Sequence, residues 1–314
     1  VHNNKQVRIG ILNYPGCLQS AVFGLSELFE LANRIGQQED SNIEFDTSII
    51  LSTEDSLESK HPHYQVLVIP PSLDEQAYQA PPGDLCAWIV SAHQAGTLIC
   101  SACAGAFILA ATGLLDAREV TTHWGLAEKL SSRFPALVLN SERILVNDGD
   151  IITAGGIMSW VDLGLELVAQ FSHPSIMRQL GKSMVVDTGE REQRYYTRFI
   201  PKRGHGDQAV LKVQQYIQIN FHRPISVARL SEMSFLAERT FLRRFVKATG
   251  LKPIEYLQRA RIQKACDLIE SSTASIESIA NKVGYEDISA FRKVFIRITG
   301  LTPRDFRRRF TRAP

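Results

Sequence analysis

The feature that most constrains this chain is a repeat. The stretch "FLRRFVKATGLKPIEY" at 241–256 returns as "FRKVFIRITGLTPRDF" at 291–306, an offset of 50 residues. Phe241, Phe245, Thr249, Gly250, Leu251 and Pro253 recur as Phe291, Phe295, Thr299, Gly300, Leu301 and Pro303, and Arg243 exchanges with Lys293, Tyr256 with Phe306. A duplicated supersecondary unit is the economical source of such a pattern. Each copy follows a short amphipathic stretch and a turn: "SVARLSEMS" leads to Phe235-Leu236 and "AERTFLRRF", and "SIESIANKVGY" leads through Gly284 to "EDISAFRKVF". Ser226 and Ser275 have the chemistry of N-caps for the leading helices. Helix, tight turn and a second helix carrying basic residues is the helix-turn-helix pattern, whereas a generic helical hairpin would need neither the duplication nor the charge. Phenylalanines four apart in each second helix point to the core, which sends Arg239 and Arg243 outward in the first copy and Ser289, Arg292 and Lys293 outward in the second.

Charge follows the same division. Residues 209–314 carry 20 lysines and arginines against 9 acidic residues, a net of +11, while residues 1–208 carry 15 against 24, a net of −9. The near-neutral total of +2 hides an acidic body joined to a basic module, and the natural partner of such a module is a polyanion. With 314 residues, 44% hydrophobic and 22% charged, the chain has material for two globular cores. Its longest apolar run, Gly105 to Leu115, is too short and too broken by small residues to span a bilayer. The start, Val1 to Lys5, runs straight into a strand pattern with no signal-peptide character, which leads to the expectation of a cytoplasmic protein. Cysteines 17, 86, 100, 103 and 266 are odd in number and lack metal-ligand spacing, so free thiols and no metal are expected.

The first 187 residues alternate apolar runs with helical patterns: strands at 7–12, 43–51, 64–70 and 98–100, helices at 21–35, 85–95, 103–112 and 159–171, and a hairpin turning at Asp148-Gly149. This alternation predicts an α/β domain whose mostly parallel sheet is covered on both faces. Residues 188–208 are mostly polar, with Gly189, Pro201, Gly204 and Gly206 among them, and read as a linker or a partly ordered connector. Residues 209–314 read as an all-α domain with two helix-turn-helix units.

Within the first domain "ICSACAGAFILAATG" (99–113) places Cys103 on a strand-to-helix turn, where several enzyme families keep a nucleophile. The C-terminal part resembles the AraC-type DNA-binding domain, with "PIEYLQRARIQKACDLIESS" as the helix joining the two units and "GYEDISAFRKVFIRITGLTPRDFRRRF" close to that family's signature. The resemblance implies that double-stranded DNA is the partner, contacted by Arg239, Leu242, Arg243, Ser289, Arg292 and Lys293, with the two second helices about 34 Å apart in successive turns of the major groove. Two departures stand out: Phe235 where glycine is common, and Ala237 where a capping serine is common.

Residues 5–187 resemble the PfpI-like branch of the class I glutamine amidotransferase superfamily, through "YPGCLQSAVFGLSELFELAN" (14–33), "SACAGAFILAATGLLDAREVTTHW" (101–124) and "ITAGGIMSWVDLGLELV" (152–168). This implies a flavodoxin-like doubly wound fold with Cys103 at the elbow and His123 after the next strand. The acidic partner of the enzymes is absent: Ala21 stands where a carboxylate is usual, and Glu27 and Glu30 lie too far along the helix. The expectation is therefore a degenerate elbow without a catalytic residue or cofactor, and a small-molecule effector pocket lined by Cys103, Ala104, His123, Trp124, Gly155 and Gly156. A regulator of this kind is expected to form homodimers, to act on RNA polymerase, and more often to activate than repress. The alternative is a cysteine-dependent amidase or hydrolase with an accessory basic domain.

Overall fold

The computed structural model describes residues 5–39, 41–52, 63–189 and 191–311. The start of the chain at Val1–Asn4, read above for a leader, lies outside them. The chain forms two compact units that divide between Gln193 and Arg194.

The first unit is built on a six-stranded sheet. Its elements, in order, are β1 (Lys5–Asn13), α1 (Gln19–Gln38), β2 (Ile43–Leu51), β3 (Val66–Ile69), α2 (Glu75–Gln79), α3 (Gly83–Gln94), β4 (Leu98–Ala102), α4 (Gly105–Ala111), β5 (Glu119–Val120), α5 (Ala127–Arg133), β6 (Val138–Leu139), β7 (Leu145–Asn147), β8 (Ile151–Ala154), α6 (Trp160–Phe171) and α7 (Pro174–Met184). The strand order is β2-β1-β3-β4-β8-β7, all parallel except the β7–β8 hairpin, and β5 and β6 form a separate parallel pair. This is the doubly wound flavodoxin-like order, which reverses direction beside β1 and opens a crevice at the carboxyl ends of the strands.

Central strands β3, β4 and β8 are buried on both faces, which explains why they read as continuous apolar runs. On the edge strand β2, the Asn33 carboxamide of α1 donates to the Phe45 carbonyl and accepts from the Phe45 N–H, both at 2.8 Å. One side chain thus occupies a pair of backbone groups that an edge otherwise offers to another strand. The helices at 75–79 and 127–133 and the β5–β6 pair are too short to carry a periodic signal, whereas the helix at 174–184 is amphipathic, with Pro174 at its start and Ile176 and Leu180 buried four apart, and is absent from the helices read above.

The second unit is helical: α8 (Gln208–Asn220), α9 (Val227–Ser234), α10 (Glu238–Thr249), α11 (Pro253–Ser271), α12 (Ile276–Lys282), α13 (Ile288–Thr299) and α14 (Pro303–Phe310). The repeat has a direct physical translation. Phe241, Phe245, Phe291 and Phe295 are fully buried. Gly250 and Gly300 end their helices at φ of 76° and 75°, the left-handed cap that glycine adopts without strain. Thr249 Oγ1 donates to the Phe245 carbonyl (2.7 Å) and accepts from the Leu251 N–H (3.2 Å), and Thr299 does the same with Phe295 and Leu301 (2.9 and 3.3 Å). Pro253 and Pro303 then open the next helices at a position where a missing N–H costs nothing. Two hydrophobic cores result. The amino-terminal half of α11 supplies Tyr256 and Leu257 to one, and its carboxyl-terminal half supplies Ile262, Ala265 and Ile269 to the other.

Candidate functional site: an elbow thiol and a paired helix-turn-helix surface

Strand β4 ends at Ala102, and Cys103 follows at φ 54°, a left-handed conformation uncommon for a residue with a side chain. Its neighbours hold it there. The Cys103 N–H donates to the Ala154 carbonyl (2.7 Å), extending the β4–β8 ladder, and its own carbonyl accepts from Thr122 Oγ1 (2.7 Å). Gly105 starts α4 against the end of β3, where a Cβ would stand 2.6 Å from the Ile69 carbonyl oxygen. The turn is therefore compact, and Cys103 is only 4% exposed.

Burial pushes the Cys103 thiol up to about 11, against a smaller opposing hydrogen bond from the Ala104 backbone. Among the described residues no carboxylate acts on it. Ala21 is fully buried in α1, Glu27 is exposed, and Glu30 pairs with Arg34. His123 does not replace the missing acid. Its Nδ1 accepts the Gly125 N–H (3.0 Å), so the neutral ring carries its proton on Nε2 and has no acceptor left for a thiol proton. Burial also lowers the His123 pKa. The ring stacks on Trp124 at 5.2 Å.

Sequence reasoning missed two groups here. Tyr14 follows β1 and donates its phenol to the Pro70 carbonyl (2.7 Å), and burial, with the nearby Cys17 and Cys103 sulfurs, raises its pKa. Gln193 lies in the stretch 188–208 yet is buried. Its Nε2 donates to the carbonyls of Thr122 (2.8 Å) and Arg143 (2.9 Å) and to Thr121 Oγ1 (3.1 Å), while its Oε1 accepts the Trp124 N–H (3.0 Å). A Cβ on Gly155 would collide with this carboxamide, so Gly155 is a packing position. Gly156, at φ 100°, has open space around it. The structure thus brings Cys103, Ala104, Gly155 and the 121–124 loop to one end of the sheet. Two cavities lie elsewhere, one of about 370 Å³ beside Asp162, Glu166 and Met177 and one of about 540 Å³ beside His63, Thr97 and Phe171, and none of the expected ligand residues lines either.

In the second unit Ser226 Oγ accepts the Arg229 N–H and Ser275 Oγ accepts the Ser278 N–H, so both act as N-caps. The second helices are α10 and α13. Arg239, Arg243, Ser289, Arg292 and Lys293 are exposed, whereas Leu242 is half-buried against the first of the two cores. Arg292 reaches Glu277 at 3.4 Å. Arg244 is turned away into a two-point contact with Asp207 (2.8 and 2.9 Å). The two turns differ. Phe235 adopts φ 55° and is 86% exposed with Lys212 over its ring, where the second copy uses Gly284 at φ 88°. Ala237 offers no side-chain cap to α10, whereas Asp287 accepts from the Ser289 and Ala290 N–H groups of α13.

Comparison with known proteins agrees with this division. The DJ-1/PfpI family matches residues 28–170 and a helix-turn-helix domain matches residues 230–309. The HTH-type transcriptional regulator GlxA of Rhizobium meliloti is 29% identical over 218 residues, covering 65% of this chain and 63% of that one. The HTH-type transcriptional regulator CdhR of Pseudomonas aeruginosa is 24% identical over 209 residues, covering 66% and 62%. The matched part is therefore about three fifths of these relatives' length. Among solved structures, Drosophila melanogaster DJ-1beta superposes with a TM-score of 0.46 at 15% identity, over 58% of this chain and all of that one. The DNA-binding domain of AdpA in complex with a target DNA superposes with a TM-score of 0.32 at 28% identity, over 32% and 92%. The chain joins a DJ-1/PfpI-family domain to a helix-turn-helix domain of the AraC type.

Proposed function

We propose that this protein is a sequence-specific DNA-binding transcription regulator whose DJ-1/PfpI domain senses a small molecule. The observation that carries the reading is the duplicated helix-turn-helix, with basic side chains exposed on both second helices and their phenylalanines buried behind them. Arg239, Arg243, Arg292 and Lys293 would read base edges, Ser289 would assist, and Leu242 would offer only a narrow apolar contact. The joining helix α11, 19 residues and so about 28 Å long, is a rigid spacer suited to two units on one face of the duplex. In the first domain the elbow residues Cys103, Ala104, His123, Trp124 and Gly156 are the proposed effector contacts, and Gly155 shapes the floor. Effector binding would shift the populations of two arrangements of the protein, one competent for DNA. By family resemblance the proposal extends to a cytoplasmic homodimer that acts on RNA polymerase as an activator.

A second reading, an amidase or thiol hydrolase, is favoured by one observation, the strained Cys103 with the Ala104 N–H on its sulfur. The high thiol pKa and the donor-only face of His123 oppose it. The test is to incubate the protein with sheared genomic DNA of its source at near-physiological salt and sequence what it retains. Enriched fragments sharing paired half-sites are expected. Retention no better than for random DNA, with or without cell extract, would sink the regulator reading. Cys103→Ala should keep DNA binding, whereas it would abolish any turnover that the hydrolase reading requires.

A further inference from the structure

Residues 194–207 do not trail loosely before the helical domain. They cross it, touching the second copy of the repeat, the joining helix and the first copy in turn. At one end, Arg194 and Tyr195 cover Gly300, where a Cβ would stand 2.5 Å from Arg194 Nε and 2.7 Å from the Tyr195 ring. Among the described residues nothing lies within 4 Å of a Cβ built on the equivalent Gly250, so this segment breaks the symmetry of the repeat. Tyr196 packs edge-on against Phe310 (5.5 Å, 87°), and its hydroxyl accepts from Arg309 Nη2 (3.1 Å).

In the middle, Phe199 packs edge-on against Tyr256 of α11 (5.0 Å, 83°), and its N–H donates to Gln263 Oε1 (2.8 Å). Arg198 lies 3.7 Å from Asp267 on the same helix. At the far end, the Lys202 carbonyl accepts from Gln214 of α8 (2.8 Å), and His205 Nε2 donates to the same carboxamide (2.9 Å). Asp207 then holds Arg244 on the recognition helix α10 by its two-point contact.

We propose that residues 194–207 form a strap, and that Tyr196 and Phe199 are positioning residues that hold the two helix-turn-helix units at the mutual spacing that paired half-sites require. The inference rests on the DNA-binding reading above. The physical reason is leverage. The two units have separate cores and share one joining helix, and the strap adds a second brace, anchored on both sides of that helix. A brace of this kind does little for either unit's own contact with one half-site. It acts when both must engage together, because the cost of fixing their relative orientation is met before binding.

The experiment uses the full chain. A duplex with both half-sites is compared with one in which either half-site is scrambled, for the wild type, Tyr196→Ala/Phe199→Ala, Tyr196→Ala alone and Tyr196→Phe. The double variant should lose about tenfold in affinity for the paired duplex and stay unchanged on single half-sites, which shows that each unit is still folded even though losing the Phe199 contact with Tyr256 lowers the melting temperature. Tyr196→Ala, at a half-exposed position that folding tolerates, should show the same selectivity to a smaller degree, and Tyr196→Phe, which keeps the ring, should restore it. Equal loss on paired and single sites, or no loss, would overturn the proposal.

Limited trypsin digestion reads the strap independently of DNA, because Arg194, Arg198, Lys202 and Arg203 are all potential cleavage points. Slow cleavage there in the wild type and fast cleavage in the double variant are expected. First cleavage there in both proteins at the same rate would make the segment a plain tether and overturn the strap. Failure of the wild type to bind any DNA would overturn the regulator reading instead, and leave the digestion to judge the strap.

Discussion

At the residue scale, Cys103 shows what a sequence can and cannot convey about a site. The small-residue turn after an apolar strand was enough to place an elbow, and the family resemblance was enough to expect Ala21 where a carboxylate is usual. The environment was not legible, because it is assembled from distant residues: Tyr14 after β1, Thr122 on the carbonyl side, and a Gln193 that the polar stretch 188–208 concealed. Nor could the sequence show that His123 spends its acceptor nitrogen on Gly125. These groups make a buried, protonated thiol. At pH 7 iodoacetamide should modify Cys103 far more slowly than a free thiol, with the rate climbing only as pH approaches 11. A catalytic thiolate would instead react fully at neutral pH, so mass spectrometry of the modified peptide across pH separates the two. The sign for stability follows from the same shift. Between 9.0 and about 11 the unfolded chain has released a proton that the folded chain keeps, so stability falls as pH rises through that window. Burial shifts Cys100, Cys266 and Tyr14 in the same direction, and Cys103→Ala should remove only part of the loss.

At the scale of elements, the helical half was the more readable, because its repeat encodes local contacts. In the repeated Phe-Phe-Thr-Gly-Leu-Pro pattern the threonine, glycine and proline serve the helix end and the turn that follows, so their sequence separation is short, while the phenylalanines four apart mark the helix face that the two cores cover. In the α/β half the strands and long helices were legible from their apolar runs, while α2, α5 and the β5–β6 pair are too short for a period to show and owe their form to tertiary packing; α7 has the helical spacing in Ile176 and Leu180, but its mostly polar composition kept it from standing out as an apolar run. The two departures noted at the first helix-turn-helix have different consequences. Ala237 leaves α10 without the cap that Asp287 gives α13. Phe235 carries a left-handed backbone that glycine would adopt freely, a strain of about 1 kcal/mol. Phe235→Gly removes that strain and also the contact with Lys212, which at an exposed site is worth less, roughly 0.5–1 kcal/mol. The melting temperature should therefore hold or rise slightly. A fall of several degrees would show that the exposed ring makes a stabilising contact larger than the strain it imposes.

At the scale of the whole molecule, the division of charge decides how DNA binding must respond to salt. The basic module carries +11 and the remainder −9, so attraction to a duplex is concentrated on one part of the chain while the other repels it. Each phosphate neutralised releases counterions and contributes about −0.9 to the slope of log K against log salt. Phosphate contacts appear in that slope on any DNA, whereas a bidentate contact to guanine appears as discrimination between sequences, about 1–3 kcal/mol each. Arg243→Ala and Arg292→Ala therefore have separable outcomes. If these side chains read bases, each variant loses affinity for its target site, keeps its affinity for random DNA, and keeps the wild-type salt slope. If they bind phosphate, both affinities fall together and the slope flattens by about one unit. Base reading is the expected result for Arg243, which is exposed and has no ion pair among the described contacts. Arg292 must first leave Glu277, an exposed pair worth at most about 1 kcal/mol, so Glu277→Gln should raise affinity for target and random DNA alike by removing a carboxylate that faces the same polyanion.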